Sequence, residues 1–144
     1  MKPVIFCLED FEIHRSLLEL NLRQLLGETV TLQFFRSLAQ LKNCPTRCDV
    51  LIADLNVTDS HAEETAEFLR MFAVHTPVII QSSEAHWPQQ LEAEHPGRIV
   101  AAEKAGQGPR FEYTLLAWLQ TIRRGTTKKN SELGFPLSTL NGPC

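Results

Sequence analysis

Residues 48–59 read CDVLIADLNVTD. Val50 to Ala53 form a short unbroken apolar run, the pattern of a strand covered on both faces in the middle of a sheet. The run ends on a carboxylate, Asp54. An isolated charge at the end of a buried strand is costly, so either the chain turns into solvent there or a positive group meets it.

Working outward, the same kind of run recurs at Val4–Leu8, Val30–Phe34, Val78–Gln81 and Ile99–Ala102. Helical patterns separate them. Ile13, Leu17, Leu20, Leu25 and Leu26 recur near helical spacing, and Gly27 is a natural stop. Ser60 and Glu63 have capping-box spacing ahead of Ala62, Ala66, Leu69 and Ala73. Shorter helices are expected at Ser37–Asn43 and Glu84–His95, where Pro88 requires a late start or a bend. Pro109 opens a last helix carrying Phe111, Leu115, Trp118 and Ile122 on one face, with Gly125 as its expected end. Five strand–helix repeats imply a doubly wound α/β domain with a parallel sheet and right-handed crossovers. Residues 1–125 are read as this domain, and 126–144 as a tail or linker expected to be disordered.

With 144 residues, 43% apolar and 22% charged, the chain suits one soluble domain. No stretch has the length of a membrane span, and the start MKPVIFCLED lacks the pattern of a signal peptide, so a cytoplasmic location is expected. The formal charge is −6 over residues 1–122 and +3 over 123–144. An acidic body argues against nucleic acid as the main ligand. The four cysteines do not have the spacing of a disulfide framework, and the spacing of Cys44 and Cys48 is looser than a zinc knuckle.

In open α/β sheets ligands bind beyond the carboxyl ends of the strands. There the sequence places Glu9 and Asp10 after the first strand, and Asp54 and Asn56 after the third. Ser82 follows the fourth, and Glu103 and Lys104 follow the fifth. Three acids offer hard oxygen ligands for Mg²⁺, which takes few ligands from protein. Lys104 and Ser82 suit phosphoryl oxygens, and a carboxylate so placed can act as a nucleophile. Taken singly, the acids could cap a helix, the serines could open a loop and the lysine could lie on the surface.

Four segments in order, CLEDF, IADLN, VIIQSSEA and AAEKA, resemble the receiver domain of bacterial two-component response regulators over roughly residues 2–124. The resemblance implies a flavodoxin-like sheet of order 2-1-3-4-5. It makes Asp54 the phosphoacceptor, Ser82 the switch hydroxyl and Lys104 the phosphoryl-binding lysine. Mg²⁺ would be held by Glu9, Asp10, Asp54 and the backbone carbonyl of Asn56, with Glu9 acting directly or through water. Asn56 and Glu84 match the pair of single-domain chemotaxis regulators and imply rapid self-dephosphorylation. The implied donor is a histidine kinase or phosphotransfer protein, and the output is altered binding of a downstream protein by a monomer or weak dimer. Such a chain is not an enzyme beyond its own phosphorylation and dephosphorylation.

The sequence also departs from the family pattern. Ala105 stands where receivers carry proline after the lysine, Ala101 stands where they carry an aromatic, and the VTD after Asn56 lacks the common proline and glycine. These departures favour one alternative, a pseudo-receiver that binds proteins independently of phosphate. A phosphohydrolase of the haloacid dehalogenase type would also place Asp after a strand, but Asn56 replaces its second acid. Flavin binding would need a Ser/Thr/Gly-rich loop where EDFEIHR stands.

Overall fold

A computed structural model describes residues 2–82 and 86–133. Five strands, β1 (Val4–Leu8), β2 (Thr31–Phe35), β3 (Val50–Ala53), β4 (Val78–Gln81) and β5 (Ile99–Ala102), form one sheet of order β2-β1-β3-β4-β5. Every pairing is parallel; Ile5 aligns with Val50, Leu51 with Val78, and Ile79 with Val100. The helices are α1 (Glu12–Leu26), α2 (Leu38–Lys42), α3 (Ala62–Phe72), α4 (His86–Glu94) and α5 (Pro109–Leu133). The expected doubly wound fold and strand order are present.

Alternation along each strand divides the core in two. Phe6, Leu8, Leu51, Ala53, Val78 and Ile80 pack with α2, α3 and α4, including Leu41, Leu69 and Leu91. Ile5, Cys7, Val50, Ile52 and Ile79 point the other way, onto Leu18, Leu22 and Leu26 of α1 and Phe111, Leu115 and Leu119 of α5. Burying each large side chain of this kind stabilises the fold by roughly 1.5–3 kcal/mol.

Several local expectations need correction. The buried face of α1 carries Leu18, Leu22 and Leu26, while Ile13, Leu17 and Leu20 are exposed. Both sets have helical spacing, and contact with Phe111 and the turn after β5 selects the first. Strand β2 begins at Thr31, one residue late. His61, not Ser60, is the N-cap of α3 and provides no side-chain cap bond; Ser60 instead bonds the side chains of Glu64 and Thr65. Helix α4, described from His86, has Pro88 near its start, as expected, where the missing N–H costs nothing. Helix α5 does not stop at Gly125 but continues to Leu133. A glycine that keeps helical backbone costs only about 1 kcal/mol against alanine, and no proline follows before Pro136.

Cys7 and Cys48 are free thiols. Burial pushes the Cys48 thiol up to about 12. Among the described residues no helix is long and apolar enough to cross a membrane.

Candidate functional site

The site is built at the carboxyl ends of β1, β3, β4 and β5. Beyond β1 and β3 the backbone ladder continues for one residue, through Glu9 N–H to Phe35 O and Asp54 N–H to Leu8 O, each at 3.0 Å. This brings both carboxylates to the edge of the sheet while each residue stays 4% exposed. Lys104 arrives from β5 on a 3-10 turn, Lys104–Gly106. The side-chain amide of Gln81 donates to Glu103 O at 3.1 Å and fixes the approach to that turn.

Lys104 Nζ meets Asp54 Oδ2 at 2.5 Å and lies 3.7 Å from Glu9 Oε1. The question raised by the buried strand end is thereby answered: a lysine opposes the charge. The backbone N–H of Asn56 donates to Asp54 Oδ1 at 3.0 Å, so both oxygens of this carboxylate have partners. Glu9 Oε2 accepts the N–H of Phe11 at 3.2 Å. Even so, the Glu9 pKa is raised from its ordinary value, first by burial and then by the adjacent Asp54 charge; Phe11 and Lys104 offset this only in part. Across the pocket the Asn56 amide reaches Ser82 Oγ at 3.5 Å.

Asp54, Lys104, Glu9, Asn56 and Ser82 are thus brought together. Asp10 is placed differently. Its Oδ2 accepts the backbone N–H of Thr58 at 2.7 Å and the Thr58 hydroxyl as well. The donors suit Mg²⁺ in kind, but as placed no three His, Cys, Asp or Glu among the described residues could hold a metal ion. Glu84 lies outside the described residues.

His14, in the first turn of α1, was not singled out from the sequence. Its Nδ1 is 3.4 Å from Lys104 Nζ and 3.9 Å from Glu9 Oε1. The available signal was position alone, since the first turn after β1 faces the strand ends in a doubly wound sheet. Glu92 Oε1 accepts the Ala101 N–H at 2.7 Å and pairs with Arg110.

No protein-family model and no curated protein matches the sequence. Solved structures do match the architecture. A signal receiver domain from Vibrio parahaemolyticus superposes with a TM-score of 0.62 at 13% identity, covering 90% of this chain and 98% of its own. The chain has the receiver-domain fold. A response regulator receiver protein from Pseudoalteromonas atlantica gives 0.59 at 19% identity, covering 85% and 98%. A chemotaxis response regulator from Vibrio cholerae gives 0.55 at 19%, covering 85% and 99%. This receiver fold positions the acidic site at the same end of the sheet that the sequence indicated.

Proposed function

We propose that this chain is a phosphoacceptor receiver domain of a two-component system, with Asp54 as the accepting group. The observation that carries the reading is the buried Asp54 carboxylate, at the end of β3, paired at 2.5 Å with Lys104 from β5. Donation would come from a phosphohistidine on a histidine kinase or phosphotransfer protein. An Asp54 oxygen attacks phosphorus, the P–N bond breaks with its electron pair retained by the imidazole nitrogen, and an acyl phosphate remains. Lys104 then meets a phosphoryl oxygen, and the Ser82 hydroxyl donates to another. Glu9, Asp10, Asp54 and the Asn56 carbonyl would hold Mg²⁺ once Asp10 is released from Thr58, and the bound ion would supply neutralisation of phosphoryl charge. Asn56 and Glu84 would govern the access of water and hence self-dephosphorylation. Signalling would follow from altered binding of a downstream protein in the cytoplasm, with no turnover of an external substrate and no nucleic-acid contact by this domain.

The pseudo-receiver reading keeps two specific supports: Asp10 is engaged by Thr58, and Ala101 stands where the family carries the switch aromatic. The deciding experiment is incubation with acetyl phosphate and Mg²⁺, followed by intact mass measurement of wild type and Asp54→Asn. One phosphoryl adduct on the wild type and none on the variant is expected. No adduct on the wild type, under conditions that modify a known receiver, would leave the interaction module.

A further inference from the structure

Each residue of the unusual VTD has its own anchor. Val57 is buried in the core on the α2–α4 side. Thr58 donates two hydrogen bonds to Asp10 Oδ2. Asp59 accepts the N–H groups of Leu38 at 2.9 Å and Ala39 at 3.0 Å, which open α2. Together they make a strap that runs from the end of β3 across the loop after β1 to the start of α2. The strap has a direct effect on the acidic site, because the Asp10 carboxylate is taken by Thr58, and no three His, Cys, Asp or Glu among the described residues are placed to hold a metal ion.

We infer that Thr58 is an internal competitor for Asp10: strap and divalent cation use the same carboxylate, so each weakens the other. This rests on the Mg²⁺ reading of the site and goes beyond it by naming the residue of this chain that sets the affinity. Both Thr58 donors are neutral, so the competition is for the carboxylate's lone pairs and orientation and not for charge. Proline at this position would supply neither donor. When a cation takes Asp10, the Thr58 N–H loses its partner and the loop between β3 and α3 is freed from the loop after β1. Cation binding is then reported at the strap.

Thr58 is exposed, so its replacement leaves the core intact. Calorimetric titration of the full chain with Mg²⁺ alone is expected to show about three- to tenfold tighter binding by Thr58→Val, which loses one charge-assisted hydrogen bond. Thr58→Ser, which keeps both donors, is expected to match the wild type. Exchange of the Thr58 amide with solvent, followed by NMR, is expected to accelerate on Mg²⁺ saturation. Wild type that binds Mg²⁺ with unchanged Thr58 amide protection, and Thr58→Val of equal or weaker affinity, would overturn the competition alone. Absence of Mg²⁺ binding in wild type and Thr58→Val alike would overturn the metal reading, and the competition with it. Binding by Thr58→Val where the wild type shows none would support both.

Discussion

Glu9 sits beside Asp54 with almost no exposed surface, and its raised pKa has a consequence for stability. Because the folded-state value exceeds the unfolded one, the favourable contribution of Glu9 is complete below the unfolded pKa and is lost as pH rises through the folded pKa. In Mg²⁺-free buffer, Glu9→Gln is therefore expected to raise the Tm by roughly a few degrees at neutral pH. The gain should shrink to nothing in acid, where the wild-type carboxyl is already protonated. Thermal melts of both proteins across pH check this, and a pH-independent gain would contradict it. Asp59 behaves oppositely. Two backbone N–H groups hold its pKa below the ordinary value, so its contribution is present above the unfolded pKa and fades as pH falls through the folded one. Asp59→Ala is expected to lower the Tm at neutral pH and to match the wild type where the native carboxylate is itself protonated. At this scale the sequence showed which groups stand at the strand ends, because an acid after a buried run is a local signal. It did not show that Asp10 faces Thr58 or that His14 joins Lys104, since both depend on how two loops and a helix meet.

The turn after β5 shows how an element delivers one side chain. Gly106 has φ of 70°, and a Cβ there would lie 2.8 Å from Leu18 Cδ1 and 3.6 Å from Phe111. Leu18 is itself buried, so it has little room to move. Gly106→Ala is expected to cost about 1–3 kcal/mol through positive φ and crowding, read as a lower denaturant midpoint, and to shift Lys104 away from Asp54. The lysine reaches Asp54 because the glycine turn and Gln81 set its course. Glu92 performs a comparable task on the edge strand. It occupies the Ala101 N–H and Arg110 at once, joining α4, β5 and α5. The strands were legible as apolar runs, four of them to the residue. The buried stripe of α1 was not, because leucines at helical spacing occur on two of its sides and only packing distinguishes them.

At the scale of the molecule, one sheet separates two cores, and its strands contribute side chains to both. Leu69 is fully buried on the α3 side, while Trp87 packs against that core and Trp118 against the other. Leu69→Ala is expected to cost about 2–5 kcal/mol. If the two cores unfold as one unit, the midpoint reported by Trp118 alone, in a Trp87→Phe background, should fall as far as that reported by Trp87 alone. Separate midpoints would mean that the faces melt independently.

The all-parallel register also governs how the chain reaches this state. Val4 pairs with Thr31 and Ile5 with Val50, so no strand is joined to its neighbour by a hairpin. Loop closure over a whole helix precedes the first ladder bond, a topology associated with slower folding than that of helical bundles. During synthesis β1 emerges first and waits for β3, with Phe6 and Leu8 uncovered in the interval. The early helix α1, whose hydrogen bonds are local, is the element able to form before that closure.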